Sequence, residues 1–280
     1  MSLLERIGLR TPVVQAGLGG GLSRHELAAA VAEAGGLGTI AVVGAAAIER
    51  ELHAVRELTG GPIAVNLLLP FAQPDWFEAA ADADAVVTFW GEPRRRTAGV
   101  WIHQCGSVEE ARAAHAAGAD ALIVQGVEAG GHVRGRLPAL ELLAQVRAAL
   151  PEDCPLLLAG DVAERADVER ALDAGASAAV AGTRFLLAEE SRAHPEYKRR
   201  LLGADETILT ELFGLGWPAP HRVVPNAATE RGSSEPLPPL AATDDGPVEL
   251  VDDGPLYAGE TVARLKDVRP AGEIVRNLTP

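Results

Sequence analysis

The chain has 280 residues, of which 48% are hydrophobic and 23% charged, a balance typical of a globular protein rather than a disordered or membrane protein. Its formal net charge of −14 would repel nucleic-acid backbones, and no basic stripe interleaved with aromatic residues offsets that repulsion. The two cysteines are too few for a secreted disulfide scaffold, and no uninterrupted apolar stretch reaches the roughly 18 residues of a membrane span. We therefore expect a cytoplasmic protein that binds neither nucleic acid nor membrane.

Short apolar runs alternate along the chain with amphipathic stretches of helical length, which is the pattern of repeated βα units around a parallel sheet. Eight such runs predict strands at Pro12–Gln15, Gly38–Val43, Ile63–Leu68, Ala85–Phe89, Val100–His103, Ala121–Gln125, Pro155–Ala159 and Ala178–Ala181. A doubly wound open sheet would show the same alternation, but eight uninterrupted units favour closure. The sequence predicts an α/β fold, a (β/α)8 TIM barrel.

The predicted helices lie between these strands, and several end in a glycine that leads directly into the next strand, as a left-handed helix terminus requires. They span Ser23–Ala34, Ala46–Thr59, Asp75–Ala81, Val108–Ala117, Pro138–Ala149 and Glu164–Ala174, with Thr183–Glu189 after the eighth strand. The connection near Pro93–Ala98 is too short for a helix.

After about His194 the alternation degrades into a short helical piece, Glu196–Leu201, and a stretch rich in Pro, Gly and Asp from Gly214 to Gly254. We interpret 1–194 as the barrel, 195–254 as an appendage, and 255–280 as a segment that returns to the barrel. The appendage either covers the mouth of the barrel as a lid or wraps the outside.

Phosphate groups bind in many barrels after strands seven and eight. Strand seven ends here in Gly160-Asp161 and strand eight in Gly182-Thr183, where the glycines let main chain approach a ligand and Thr183 adds a hydroxyl. The alternative is that these residues make tight turns and cap helices. The charge of Asp161 would repel a phosphate unless its side chain points away.

The string from Gln125 to His132 follows the sixth strand and so belongs to the catalytic end of a barrel. Gly130 and Gly131 can bring main chain against a flat cofactor, Gln125 can donate or accept at a ring edge, and His132 can act as a general base or hydrogen-bond donor. A lone loop histidine is more often structural, but its place after a strand and beside paired glycines favours catalysis.

Two further segments suggest ligand contacts. Ala16, Gly17 and Leu18 belong to a glycine-rich loop after the first strand, whose spacing is not that of a dinucleotide fingerprint. Asn66 is a polar residue within an apolar strand, where either a ligand or a core carbonyl could serve as its partner.

Among the remaining histidines His103 alone is placed to join the site, and a purely structural role fits it equally well. No metal-ligand spacing is present, so we expect no metal.

Together these residues resemble the nitronate monooxygenase family, whose members are FMN-dependent TIM barrels. The resemblance covers nearly the whole chain, and its strings are Pro12–Ala16, Ala34–Gly38, Val65–Leu67, Gln125–His132, Ala159-Gly160, Ala181–Leu186 and Tyr257–Gly259. Glu-Ala-Gly-Gly-His, the end of the Gln125 string, is highly specific.

The resemblance implies oxidative denitrification of alkyl nitronates or nitroalkanes, with FMN as cofactor and a small-molecule substrate and oxygen as partners; a homodimer is left open. It implies that Ala16, Gly17, Leu18, Asn66 and Gln125 contact the flavin, as does the glycine pair. Gly160, Gly182 and Thr183 hold the phosphate in this interpretation. His132 would remove the α-proton of a nitroalkane or position the nitronate.

The sequence departs from the family at Gly17-Leu18, where Pro-Met is common, and at Asp161, where a second glycine is usual. Flavin barrels of similar sequence also reduce quinones with NAD(P)H, which is the main alternative. Reduction of enoyl-thioesters ranks third, because those enzymes tend to carry Ser where Ala129 stands. A flavin-binding module with little turnover is an alternative from another class.

Overall fold

A computed structural model describes residues 3–214, 219–235 and 237–280. Its central sheet consists of eight parallel strands, which confirms all eight predicted strands. They are β1 Val13–Gln15, β2 Gly38–Ile40, β3 Ile63–Leu68, β4 Ala85–Phe89, β5 Val100–Cys105, β6 Ala121–Gln125, β8 Leu156–Ala159 and β9 Ala178–Ala181. Four further strands, β7 Gly131–His132, β10 Ile208–Thr210, β11 His221–Val224 and β12 Leu256–Tyr257, form a small second sheet.

The sheet curls until its two edge strands, β1 and β2, meet. The amide of Leu37 donates to the Val13 carbonyl at 3.0 Å, and the amide of Gln15 donates to the Leu37 carbonyl at 3.0 Å. A side chain continues this seam, since Gln15 Oε1 accepts the Thr39 amide at 2.8 Å. The eight strands thereby make a nearly closed barrel, as predicted.

The helices are α1 Leu3–Arg6, α2 His25–Glu33, α3 Ala45–Leu58, α4 Pro74–Ala79, α5 Val108–Ala116, α6 Ala139–Ala149, α7 Arg165–Asp173, α8 Thr183–Leu186, α9 Pro195–Leu202, α10 Ala227–Arg231, α11 Leu250–Asp253 and α12 Ala271–Leu278. No helix joins β4 to β5, in agreement with the short predicted connection. Within the described residues, no helix is long and apolar enough to cross a membrane.

Aliphatic side chains from alternate strand positions fill the barrel, because successive residues of a strand face opposite sides. Val14, Val87, Ile123 and Val180 belong to this inner layer. Leu3 packs against the same layer, so that α1 plugs the amino-terminal end of the barrel. That end is therefore filled, and space for a ligand remains at the carboxyl ends of the strands.

The helix at the end of the chain, α12, takes the place of the eighth helix in the outer layer of the barrel. The helix predicted at Thr183–Glu189 stops at Leu186, and α12 packs instead against α2 and α7, the helices on either side of this position. Residues 187–270 are consequently inserted between the eighth strand and the final barrel helix. This insertion carries β10, β11 and β12, and β11 pairs with β7 at the barrel mouth.

Candidate active site

One cavity of about 460 Å³ lies at the carboxyl ends of the barrel strands. Every residue that the sequence singled out for the cofactor or for catalysis lines it: Ala16, Gly17, Leu18, Asn66, Gln125, Gly130, Gly131, His132, Gly160, Asp161, Gly182 and Thr183. The insertion contributes Pro239, Leu240 and Tyr257. These residues are brought together by strand ends distant in sequence, which is how barrels generally build their sites.

One end of the cavity is suited to an anion. Within the described residues, the backbone amides of Gly160, Asp161, Gly182 and Thr183 donate to no protein acceptor. Unpaired amides that face a cavity favour an acceptor such as a phosphate oxygen. The Thr183 hydroxyl accepts the Gly259 amide at 2.8 Å and so also fixes the returning segment.

The side chain of Asp161 is paired with arginines rather than directed into the cavity. Its carboxylate lies 2.7 Å from the Arg264 guanidinium and 3.7 Å from that of Arg170. Arg264 also binds the buried Asp167 at 3.0 Å, at the start of α7. The negative charge is thus directed into an ion-pair network, while the backbone of Asp161 lines the cavity. Its φ of 56° is left-handed, which explains why a glycine suits this position.

The wall formed by the first loop depends on a contact between Gly17 and Asn66. A Cβ on Gly17 would lie 2.5 Å from Asn66 Cβ and 2.9 Å from Asn66 Nδ2, so any larger residue would displace the asparagine. No hydrogen bond from the described residues reaches the Asn66 side chain, although the residue is half-buried at the cavity wall. Its amide is therefore available to a ligand.

Gln125 has a more structural position than the sequence suggested. Its Nε2 donates to the His132 carbonyl at 2.9 Å, and its Oε1 accepts the Arg134 amide at 2.9 Å. These two bonds fold the loop back over the end of β6 and hold His132 at the cavity. One N–H of the amide remains for a ligand.

His132 lies within a cluster of three rings. Its centroid is 4.4 Å from that of His221 in an edge-on arrangement and 5.7 Å from that of Tyr257. His132 and His221 are direct cross-strand partners of β7 and β11, and Tyr257 follows on β12. The insertion therefore supplies two of the three rings at the proposed catalytic position.

Both histidines are uncharged at neutral pH. Burial lowers the pKa of His132 to about 3, with a further contribution from the neighbouring His221. Burial likewise lowers the pKa of His221 to about 4. Burial also raises the pKa of the Tyr257 hydroxyl, whose oxygen has no hydrogen-bond partner within the described residues. At pH 7 each imidazole has one N–H donor and one acceptor nitrogen.

Sequence reasoning missed His221, because it assigned the whole stretch Gly214–Gly254 to an irregular appendage. The run from His221 to Val224, bounded by prolines, was the available signal of a short strand.

His103, by contrast, points away from the cavity. Its Nδ1 lies 2.8 Å from the Thr88 hydroxyl, and burial lowers its pKa to about 4. The structural role weighed for His103 is the one observed.

Glu128 and Gly130 explain the rest of the Glu-Ala-Gly-Gly-His string. The Glu128 carboxylate accepts the Ala139 amide at 3.0 Å and so caps α6. A Cβ on Gly130 would lie 2.4 Å from the Gly259 nitrogen, which means that only glycine lets the returning segment pass this close. Gly130 thus serves a chain crossing, and Gly131 has the open space beside the cavity.

One group outside the cavity has the composition of a metal site. Ligand atoms of His25, Glu26 and Glu51 lie within 4.8 Å of one another, which sequence spacing did not reveal because Glu51 belongs to a different helix. His25 Nδ1 is 2.6 Å from Glu51 Oε2, and Arg192 lies 3.3 Å from Glu26. These contacts account for the group as a hydrogen-bonded pair of His25 and Glu51 beside an ion pair of Arg192 and Glu26.

The fold and the cavity together define a (β/α)8 barrel enzyme that binds its ligand at the carboxyl ends of the strands. The family model for nitronate monooxygenase matches residues 2–92 and 91–280. A nitronate monooxygenase of Pseudomonas aeruginosa is 32% identical, with 97% of this chain and 96% of that protein covered. The chain belongs to the nitronate monooxygenase family, an oxidoreductase family.

Solved structures agree with this assignment. Nitroalkane oxidase from Streptomyces ansochromogenes superposes with a TM-score of 0.82 at 31% identity, covering 98% of this chain and 96% of that one. FabK from Thermotoga maritima superposes with a TM-score of 0.86 at 24% identity, covering 99% and 94%, and so supports the fold.

Proposed function

We propose that this enzyme uses FMN to oxidise alkyl nitronates with molecular oxygen. The observation that carries the proposal is the placement of His132 in the same cavity as the unpaired amides of the Gly160 and Gly182 loops. A cavity with an anion site at one end and an uncharged histidine near a second wall fits a phosphate-bearing cofactor together with a small substrate.

The residues present fit FMN. The amides of Gly160, Asp161, Gly182 and Thr183 would hold the phosphate, while Asn66, the first loop and the free N–H of Gln125 would contact the ring. Bound FMN would supply the redox chemistry, accepting electrons from the substrate and passing them to oxygen. The protein contributes binding, orientation and exclusion of water.

We assign His132 the role of hydrogen-bond donor to a nitronate oxygen. Because burial lowers its pKa to about 3, the imidazole is a weak proton acceptor at pH 7. A nitronate has already lost the α-proton, whereas a neutral nitroalkane requires a base to remove it. The preferred substrate is therefore the nitronate, and His132 orients it by donating an N–H.

Tyr257 and His221 enclose His132 on the side of the insertion. Rings packed at this distance exclude water from the reacting group, which strengthens a hydrogen bond from His132 to an anionic oxygen. Tyr257 is itself held by its backbone carbonyl, which accepts the buried Tyr197 hydroxyl at 2.7 Å.

We further propose a cytoplasmic location, supported by two buried cysteines that are both free thiols.

Purification under non-denaturing conditions, followed by a visible spectrum, tests the cofactor, and chromatography of the released chromophore distinguishes FMN from FAD. Oxygen uptake and nitrite release with ethylnitronate are then compared with NADH- and NADPH-dependent quinone reduction. We expect bound FMN and oxygen uptake with nitronate that exceeds the rate with neutral nitroethane. A colourless protein that FMN cannot reconstitute would overturn the cofactor assignment, and faster quinone reduction would replace nitronate oxidation as the function.

A further inference from the structure

His221 lies against the proposed catalytic residue without itself lining the cavity. It is fully buried, and it is the direct cross-strand partner of His132 in the β7–β11 pair. The two ring centroids are 4.4 Å apart and the ring planes make an angle of 78°, an edge-on arrangement that aromatic rings favour. The Tyr257 ring is farther away, with 6.1 Å between centroids. An effect of His221 on a ligand must therefore pass through a neighbouring ring, and His132 is the nearer of these two.

The direction of the His132 ring is not set by its own backbone. Rotation of an imidazole about its Cβ–Cγ bond is soft, with broad minima. The strand that carries His132, β7, is only two residues long. A donor acts well on a substrate atom only when it is held within about 20° of the productive direction. The adjoining His221 ring supplies such a restraint, because it blocks free rotation of His132.

The strand that carries His221 is fastened to the loop after β6 on both sides of this residue. The Val133 amide donates to the Pro220 carbonyl at 2.9 Å. Arg222 donates from Nε and Nη2 to the Val127 carbonyl, at 3.1 and 2.8 Å. Since these bonds flank His221 in sequence, its ring keeps a fixed place relative to that loop.

A buried imidazole at this position costs stability if packing is its only role. Neither ring nitrogen of His221 makes a hydrogen bond of normal geometry with the described residues. Burial lowers the pKa of His221 to about 4, and the nearby Phe213 carbonyl offsets only part of that effect. Val223, two residues further on the same face of β11, belongs with Phe213 to an apolar cluster. A phenylalanine would fill such a site without unpaired nitrogens, so the stability of the fold does not explain the histidine.

We infer that His221 is a positioning residue for the oxidation, whose imidazole holds the His132 ring in the direction that presents its N–H to the substrate oxygen. An imidazole edge carries N–H as well as C–H groups and is more polar than a phenyl edge. It therefore restrains an adjoining ring more strongly. The inference rests on the proposed function, since it assigns a role in the same reaction to a further residue.

A double-mutant cycle tests whether His221 acts through His132. We expect His221→Phe, which keeps a ring, to lower kcat/KM for ethylnitronate by about two- to tenfold, the contribution of an edge-on ring contact. His221→Ala should lower it by about 100-fold, because the His132 ring can then turn away. The Kd for FMN should stay unchanged in both variants. In a His132→Ala background each loss should shrink to less than about twofold, because the ring that His221 orients is absent.

Stability separates positioning from packing. His221→Phe should keep or raise the free energy of unfolding in urea at pH 7, since it removes two buried nitrogens that lack hydrogen bonds. His103→Gln is the matched control, because His103 is also a buried histidine of lowered pKa but lies outside the cavity. It should leave kcat/KM for ethylnitronate unchanged.

Losses from the His221 and His132 variants that multiply in the double variant would overturn the inference and leave the proposed function intact. A wild-type kcat/KM in His221→Ala would do the same, as would a loss of activity in His221→Phe that is matched by a loss of stability and of bound FMN. Failure of the wild-type enzyme, with FMN bound, to oxidise ethylnitronate would instead reject the proposed function, and the inference with it.

Discussion

Burial determines which chemistry is open to His132. A solvent-exposed imidazole would titrate near pH 6.5 and could serve as a general base, but the low pKa of about 3 keeps this ring uncharged over the working range of most enzymes. The two roles considered from the sequence, proton removal and positioning, are therefore not equal. A fixed N–H donor matches the observed environment better.

Replacement of His132 separates these roles. His132→Asn retains an N–H donor and should reduce kcat/KM for ethylnitronate by about tenfold, whereas His132→Ala should reduce it by about 100-fold or more, the usual loss for a missing donor to a developing oxyanion. The wild type should show no ionisation near pH 6.5 in kcat/KM. Bound flavin, measured from the visible spectrum, is the control. Equal losses in both variants, with a wild-type profile that titrates near pH 6.5, would indicate a general base.

Asp161 combines a strained backbone with a charge that faces away from the cavity. Its left-handed φ can be adopted by Asn or Gly at lower cost than by most residues. Arg264 neutralises its carboxylate, but the charge still lies beside the proposed phosphate site. The residue therefore stabilises the network and opposes the anion at the same time.

Asp161→Asn should tighten FMN binding by about two- to fivefold at low ionic strength, because a charge near the phosphate is removed and Arg264 is partly released. Quenching of flavin fluorescence on titration with apoprotein measures the Kd. Glu164→Gln is the control, since Glu164 also approaches Arg264, at 3.6 Å, but does not line the cavity. Weaker FMN binding by Asp161→Asn would mean that the ion pair itself shapes the site.

At the level of secondary structure, the two-residue strand β7 links the barrel to the insertion. Its pairing with β11 places His221 beside His132, and the passage of the Ala258-Gly259 backbone against Gly130 holds β12 in place. The cluster of His132, His221 and Tyr257 is therefore assembled by contacts between the loop after β6 and a segment about 90 residues further along the chain. The Arg222 guanidinium, which donates to the Val127 carbonyl across a separation of 95 positions, makes one of these contacts.

Gly130→Ala tests this crossing. The added Cβ would lie 2.4 Å from a backbone nitrogen and 2.5 Å from a backbone carbon, so the two segments must separate. We expect a loss of about 1–3 kcal/mol in the free energy of unfolding, the usual cost of overpacking, together with loss of nitronate oxidation. Thermal denaturation followed by circular dichroism gives the first quantity and oxygen uptake the second.

Gly131→Ala is the matched control. Its Cβ meets nothing within 4 Å, and its φ of 69° adds only the roughly 1 kcal/mol cost of a left-handed alanine. A variant Gly130→Ala that is no less stable than Gly131→Ala, with oxidation preserved, would show that the crossing tolerates separation.

The β7–β11 contact also marks the limit of what the sequence could predict. The eight barrel strands were predictable because each is a local apolar run and most are followed by a helix. The place of Gly160, Gly182 and His132 at the cavity was predictable because the loops after the strands of a barrel line its ligand site. A pairing of two-residue strands separated by most of the insertion has no local periodicity. For the same reason the ion pair that redirects Asp161 could not be inferred, since Arg264 lies 103 positions away.

For the molecule as a whole, three buried histidines share one property. Burial is the largest cause of the lowered pKa of His103, His132 and His221, to about 4, 3 and 4. In the unfolded chain each would titrate near 6.5. Between these pH values the unfolded state binds protons that the native state does not. The free energy of unfolding is therefore undiminished by these histidines above pH 6.5, and it decreases as the pH falls towards 4.

We therefore expect the free energy of unfolding to decrease by up to about 1.4 kcal/mol per pH unit for each histidine between pH 6 and pH 4.5. Urea denaturation at several pH values measures this slope. His103→Gln should remove about a third of it, because His103 is one of the three buried histidines and lies outside the cavity. A slope unaffected by His103→Gln would contradict this account of acid sensitivity.

The seam between β1 and β2 couples the cavity to the integrity of the barrel. Gln15 both lines the cavity and accepts the Thr39 amide, so the last hydrogen bond of the seam depends on a side chain that a ligand can contact. Local openings of a sheet begin where its hydrogen bonds are fewest. The Thr39 amide should consequently exchange its hydrogen for deuterium faster than amides of the same barrel layer in β4 and β5, and cofactor binding should slow that exchange. The exchange rate of this one backbone proton would then show whether the cavity is occupied, at a position outside the cluster of His132, His221 and Tyr257.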